Sequence, residues 1–291
     1  MEIIDAHFHF GDKIYDESLF LQYLYNSSQV FQKNNISKAI TMITPMCKDR
    51  ICSFDSNHLT FEHENNGSYE LECVECNRII KRKNIPFYRD ANLQLLSAAK
   101  SDERIIPFFT TSVLKPDQII KELDWITSNF PKKVKGIKIY TGNSDVQLNS
   151  ILPFSDLPLI IHTGIYPNQD LKSMIKFITK YNGPIQLAHF GRFDEKSIRQ
   201  FTQFDNIYFD CSPAKYLFEN KSRKLFKHDF QRVEELFYYM FDMVGIDKVV
   251  FGSDYPYGNI EEEIGVINSL KISEFEKQSI LSKNIERFLN L

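Results

Sequence analysis

Eight short runs rich in β-branched and aromatic residues recur along this chain, each followed by a stretch with helical periodicity. They are IIDAH, KAITMIT, RIIPFFTT, VKGIKIY, LPLIIHT, PIQLAHF, NIYFDC and KVVFGSD. Strands that alternate with helices need crossover connections, and these build a parallel sheet with the helices packed outside it. Leu171, Met174, Ile175 and Ile178, spaced i, i+3, i+4, i+7, show the apolar stripe that such a helix turns to the sheet. Eight units predict a closed α/β barrel, a (β/α)8 fold of the TIM type, as one domain over residues 1–291. With 291 residues and 43% hydrophobic content the chain is long enough to fill that core.

The rhythm breaks between residues 47 and 86, which read as a subdomain inserted after the second strand. Four of the five cysteines fall there, Cys47 and Cys52 as C-x4-C and Cys73 and Cys76 as C-x2-C. Between the pairs, HLTFEHENNGSYELE alternates Leu59, Phe61 and His63, then Tyr69, Leu71 and Cys73, around Asn66-Gly67. That pattern predicts a hairpin, which carries the second pair back to the first. Two such pairs are the ligands of a zinc-ribbon-like site, with His58 or His63 able to replace one cysteine. The expectation is a second, structural zinc that staples a segment too small for a core of its own; free thiols in a lid are the alternative. After the eighth run, the chain from Glu261 reads as two helices, with a capping box at Ser273–Glu276.

A formal net charge of -3, from 35 basic and 38 acidic residues, creates no global field to recruit nucleic acid or an anionic membrane. The start MEIIDAHFHF has no basic segment followed by an apolar one, and no run approaches the roughly 18 apolar residues of a spanning helix. The expectation is a cytoplasmic protein whose partner is a small molecule, with assembly into a homo-oligomer left open. An odd cysteine count fits metal or free thiols better than a disulfide framework. The 25 phenylalanines and 14 tyrosines read as barrel and helix packing, not as a stacking platform for bases.

The chemistry sits at strand ends. Strict alternation in the first run puts Asp5, His7 and His9 on one face and Ile4, Ala6 and Phe8 on the other. His162 closes LPLIIHT, His189 follows PIQLA, and Asp254 closes KVVFGSD. A His-x-His pair alone suits two hydrogen-bonded core histidines equally well. Four of seven histidines and an aspartate arriving independently at the C-terminal rim, where such barrels assemble active sites, favour a metal. Imidazole nitrogen with carboxylate oxygen suits a catalytic divalent ion that keeps a position open for water. In VKGIKIY, alternation sends Lys138 into the barrel with Gly136 and Tyr140. Arg192, three residues after His189, is placed either to clamp a substrate carboxylate or to lie solvated in a loop. Asp210 and Ser212 either line the pocket or serve loop hydrogen bonding beside Pro213.

Taken in order, IDAHFHFG, GIKIY, LIIHTG, LAHFG, VFGSDYP and the closing NIERFLNL resemble the amidohydrolase superfamily. The resemblance points to its amidohydrolase-related branch, which includes aminocarboxymuconate semialdehyde decarboxylase. It implies a divalent metal, zinc foremost, bound by His7, His9, His162 and Asp254. His189 is then either a second metal ligand or a side chain that polarises substrate. Binuclear members carry a carbamylated lysine on the fourth strand. This branch mostly uses one metal, so Lys138 is expected to stay cationic and, with Arg192, bind substrate. The implied reaction is hydrolysis of an amide, lactone or ester by metal-activated water, with Asp254 moving the proton and His189 stabilising the carbonyl oxygen. The alternative is decarboxylation of an aromatic or unsaturated acid, since the branch contains both. A non-catalytic metal-binding barrel is a third reading, opposed by the complete ligand set. The insertion lies outside the family pattern.

Overall fold

The computed structural model describes residues 2–11, 17–43, 59–65, 68–73, 78–83, 89–111, 116–140, 148–163, 171–193, 195–219 and 230–291. All eight expected runs form strands of one parallel sheet. In chain order they are β1 (Ile3–Phe10) and β2 (Ile36–Ile43), then, after β3 (Leu59–Asn65), β4 (Ser68–Cys73) and β5 (Arg78–Lys83) of the insertion, β6 (Ile105–Thr111) and β7 (Gly136–Tyr140). β8 (Leu159–His162), β9 (Ile185–Leu187), β10 (Ile207–Asp210) and β11 (Val249–Val250) complete the set. The sheet runs β1-β2-β6-β7-β8-β9-β10-β11. It closes on itself: Ala6 N donates to Phe251 O at 2.9 Å, Asp254 N to His7 O at 2.8 Å, and His9 N to Tyr255 O at 2.9 Å. A closed ring leaves no edge strand to manage.

Alternation along each strand separates two apolar populations. Ile137, Ile139, Leu159, Ile161, Ile207 and Phe209 join the large outer core that packs against the helices, where Met174 and Ile178 are also buried. Ile40, Met42, Phe108, Ile160, Tyr208 and Val250 instead form an inner cluster with Ile285 and Phe288. Those last two come from the C-terminal helix, Asn284–Leu289, which plugs the end of the barrel where the strands begin. Asn284 Nδ2 donates to Ile246 O at 2.8 Å and Val249 O at 2.6 Å, and Gln278 Nε2 to Glu2 O at 2.9 Å, so polar anchors fix the plug under the strand starts. Gly136 faces the Phe108 ring so closely that a Cβ there would clash with it.

The first strand departs from the sequence expectation. Ile4 and Ala6 lie in the inner cluster, whereas Phe8 and Phe10 lie in the outer core. A register shift between Asp5 and Phe8 is the cause. One extra residue against β2 bulges the strand and resets its alternation, so Ile4 and Ala6 below the bulge and His7 and His9 above it share the barrel interior.

The insertion is a three-stranded antiparallel sheet, β3-β4-β5, not the two-stranded hairpin alone. Asn65 pairs with Ser68 as the hairpin predicts, and a register shift between Leu59 and Phe61 breaks the simple alternation. β5, RIIKRK, has no two-residue apolar period, which is why it escapes a sequence reading. Cys47, Cys52, Cys76 and His58 lie outside the described residues, and Cys73 and His63 are described in backbone only.

Toward the C-terminus, Asn259 caps helix Ile260–Ser269, and the Ser273–Glu276 capping box is present as expected. The second helix continues through a π turn at Ser279–Lys283 into the plug. Among the described residues no helix is long and apolar enough to cross a membrane.

Candidate metal centre

The bulge in β1 delivers both of its histidines to the rim at the C-terminal strand ends. His7 Nδ1 lies 2.9 Å from Asp210 Oδ2, and its Nε2 lies 3.4 Å from Asp254 Oδ1. His9 Nε2 lies 3.1 Å from that same Asp254 oxygen. His189, just past β9, sets Nδ1 2.7 Å from the Ser212 carbonyl and Nε2 3.2 Å from His162 Nδ1. A carbonyl only accepts, so His189 Nδ1 carries the hydrogen and Nε2 offers a lone pair. Ring centroids step from His9 to His7 at 5.2 Å, His7 to His189 at 5.1 Å, and His189 to His162 at 4.9 Å. Lys138 is wholly buried, with Nζ 3.3 Å from His7 Nε2. The rim therefore gathers His7, His9, His189, Asp254 and Lys138, and His162 joins them through His189.

Backbone strain concentrates here. His189, Phe190, Gly191 and Arg192 take φ of 57°, 52°, 59° and 49° in succession, and Asp254 takes 54°. Left-handed conformations cost non-glycine residues about 1–2 kcal/mol each, so neighbours must hold them. His189 N donates to Asp210 Oδ1 at 2.9 Å, Gly191 N to Ala188 O at 3.0 Å, and Arg192 Nε to Thr163 O at 3.0 Å. Asp254 is held by its own N–H on His7 O, while its carbonyl accepts from Tyr257 N at 2.7 Å and Gly258 N at 3.0 Å.

Burial sets the protonation states. It pushes His9 down to about 4 and His189 to about 3, and His162 well below its ordinary value, with the cations Lys138 and Arg192 adding to the fall at His162. Burial alone would raise Asp254, but the His9 hydrogen bond and the imidazoles of His7 and His189 outweigh it and hold the carboxyl well below its usual range. Burial lowers Lys138 to about 8 against the opposing pull of Asp210 and Asp254. Near neutral pH the site thus holds an ionised Asp254 beside uncharged His9, His162 and His189, the states that ligate metal.

The profile of the amidohydrolase family matches residues 80–291. The chain belongs to the amidohydrolase family. Solved structures share the whole fold: a zinc-bound amidohydrolase from Burkholderia multivorans has 14% identity, a TM-score of 0.64 and coverage of 100% of both chains. The 5-carboxyvanillate decarboxylase of Sphingomonas paucimobilis has 12% identity and a TM-score of 0.60, covering 100% of this chain and 99% of that one. A Pseudomonas putida protein provisionally named a 2-pyrone-4,6-dicarboxylic acid hydrolase has 11% identity and a TM-score of 0.57, with 99% and 97% covered. Likeness at these identities is one of fold. No curated protein matches the chain.

The donor set of this amidohydrolase fits a divalent ion. One ligand atom each from His7, His189 and Asp254 lie within 4.8 Å of one another. Hydrogen bonds to the outward nitrogens of His7 and His189 leave both Nε2 atoms facing the centre, the arrangement by which metal-binding histidines are oriented. His9 Nδ1 is buried without a hydrogen-bond partner among the described residues. Arg192 lies at the rim, its Nε engaged by Thr163 O. Asp210 and Ser212, at and just past the end of β10, are buried behind the centre, where they hydrogen-bond the outward nitrogens of His7 and His189.

Three supporting groups were not read from the sequence. Gln186 donates from Nε2 to Asp210 Oδ2 at 2.7 Å and to Ala6 O at 3.1 Å. Asp5 accepts from His7 N and Ser253 N at 3.0 Å and from Ser253 Oγ at 2.6 Å, and burial outweighs these bonds to raise it to about 6. Thr163 closes onto Ala188 O. The available signals were slight: a glutamine inside PIQLA, and an Asp and a Ser each close to a ligand.

Proposed function

We propose that this amidohydrolase hydrolyses an amide, lactone or ester bond of a small molecule, with zinc held by His7, His9, His162 and Asp254. The gathering of His7, His9 and His189 about the ionised Asp254, with His162 against His189, carries the reading. A divalent ion bound there supplies Lewis acidity and brings the pKa of a water from about 15.7 to about 7. Asp254 takes the proton of the attacking water and returns it to the leaving group. His189, with Nδ1 committed to the Ser212 carbonyl, presents a lone pair to the centre. Of its two roles, the geometry therefore supports ligand over hydrogen-bond donor. Lys138 and Arg192 supply positive charge for a substrate carboxylate and orient it.

Decarboxylation of an aromatic or unsaturated acid is the second reading, favoured by one observation: the wholly buried Lys138 ammonium beside the centre suits a carboxylate at the reacting position. In that case Asp254 delivers the proton that replaces carbon dioxide. Zinc-loaded protein offered lactones, amides and aromatic acids separates the two: carbon dioxide release supports decarboxylation, and cleavage without it supports hydrolysis. Loss of neither substrate class on loading with metal refutes both. For the insertion, a structural zinc on Cys47, Cys52, Cys73 and Cys76 rests on spacing and on the β3–β4 hairpin. Two zinc equivalents per chain, falling to one in Cys73→Ser, are expected; an unchanged count in that variant counts against the site.

A further inference from the structure

Asp210 is wholly buried at the end of β10, and its carboxylate collects donors from β1, from β9 and from the segments just past β9 and β10. Oδ2 accepts from His7 Nδ1 at 2.9 Å and Gln186 Nε2 at 2.7 Å. Oδ1 accepts from His189 N at 2.9 Å, Ser212 N at 3.1 Å and Ser212 Oγ at 2.7 Å. With Gln186 Nε2, His189 N, Ser212 N and Ser212 Oγ all donating to it, the carboxylate is an acceptor on both oxygens, so the shared hydrogen sits on His7 Nδ1 and the Nε2 lone pair points into the centre. The same residue fastens Ser212, whose carbonyl takes the His189 Nδ1 hydrogen, and it ties the amide that opens the left-handed turn at His189.

We infer that Asp210 is the positioning residue of the centre, fixing the ring tautomer of His7 directly and that of His189 through Ser212. The inference rests on the metal reading for its purpose, but not for its geometry. Its function is to turn two imidazoles from different strands into preset ligands before any ion arrives, which sharpens affinity because fewer tautomers are lost on binding.

The substitution Asp210→Asn has a specific consequence. Three donors face the Oδ1 side, so the amide carbonyl takes that side and the NH2 turns toward His7 Nδ1 and Gln186 Nε2, which are donors themselves. Relief comes when His7 moves its hydrogen to Nε2, which withdraws the lone pair from the centre. NMR of protein labelled with 15N in histidine, free of metal, reads this directly. In the wild type His7 is expected as the Nδ1–H tautomer, and in Asp210→Asn as the Nε2–H tautomer. Competition for zinc against a chromogenic chelator is expected to show about 10–100-fold weaker binding in the variant. Circular dichroism checks that the variant is folded; if it is not, the wild-type spectrum alone decides. A wild-type His7 carrying its hydrogen on Nε2 overturns the inference. So does a folded variant that keeps the wild-type tautomer and binds zinc within twofold. Wild-type protein that binds no zinc removes the metal reading, while the tautomers still judge Asp210.

Discussion

The two ends of this barrel are made from the same strands and bury opposite things. Where the strands begin, Ile4, Phe108, Ile160, Tyr208 and Val250 close over Phe288 in an apolar plug. Where they end, His7, His9, Lys138, His189, Asp210 and Asp254 are buried just as deeply, with ionised groups among them. Within one strand the change takes two residues: Ile160 plugs and His162 meets His189, Tyr208 plugs and Asp210 holds the His7 ring. A step of two residues spans roughly 6.6 Å along a strand, so structure-forming and reactive layers are nearly in contact. The plug gains stability from apolar area and asks little of geometry. The rim holds left-handed backbone and desolvated charge, both costly, and is kept in place by hydrogen bonds that leave its reactive atoms pointing inward.

The largest expected effect tests whether rim chemistry is separable from stability. Asp254→Asn should lower kcat/KM by about 10²–10⁴-fold, since it removes a ligand charge and the proton carrier together. The barrel should stay folded, because asparagine tolerates the left-handed backbone that Asp254 adopts at φ 54°. A melting temperature of the metal-free variant within about 4 °C of wild type, the shift of roughly 1 kcal/mol, is expected. Activity within a few-fold of wild type would remove Asp254 from the mechanism. Chelation should likewise abolish turnover and zinc restore it, and His162→Ala should lose bound metal; a variant that keeps its full metal content takes His162 out of the ligand set.

Truncating the plug should do the reverse. Phe288 stacks on Phe108 at 6.3 Å and meets Tyr208 edge-on at 5.6 Å, so Phe288→Ala leaves a cavity worth about 3–5 kcal/mol. Activity per folded molecule and zinc stoichiometry should hold within twofold. A large fall in either would mean that the two ends are coupled after all. Gly136→Ala, which crowds the Phe108 ring, should cost about 1–3 kcal/mol by overpacking, again read as melting temperature with activity retained.

The same contrast explains what could be read from sequence. Strands and candidate ligands were legible because both are local: a β-branched run that ends in His162 or Asp254 announces its layer and the donor atom at its end together. The bulge in β1 was not, because Asp5 to Phe8 look regular until paired with β2. The left-handed turn at 189–192 carries a single hint, Gly191, with three ordinary side chains around it. Asp210 shows its role only when the strands carrying His7 and Gln186 come beside it, 203 and 24 residues away in sequence. The candidate ligands stand at predictable strand ends, whereas the groups that hydrogen-bond to them are chosen by neighbours across the barrel.

The smallest effect concerns charge at the plugged end, where it lies near the surface. Asp102, just before β6, accepts from Arg104 Nε at 2.9 Å and Arg104 Nη2 at 2.6 Å, and Arg104 also sits over the Phe31 ring at 5.4 Å. The Arg104 hydrogen bond holds the Asp102 carboxyl below its ordinary value of 3.8, against a smaller opposing effect of burial. A carboxyl lowered on folding adds stability that is fully present above its unfolded pKa and is lost as pH falls through the folded one. Asp102→Asn should therefore lower stability at pH 7 by only about 0.5–1 kcal/mol, the scale of a partly exposed pair. Asparagine still accepts from Arg104 N, so the turn itself survives. The difference from wild type, followed by urea denaturation, should shrink as pH drops below about 4 and Asp102 becomes protonated in both states. A loss at pH 7 above 2 kcal/mol, or one independent of pH, would show that this end also relies on buried charge and would erase the contrast with the rim.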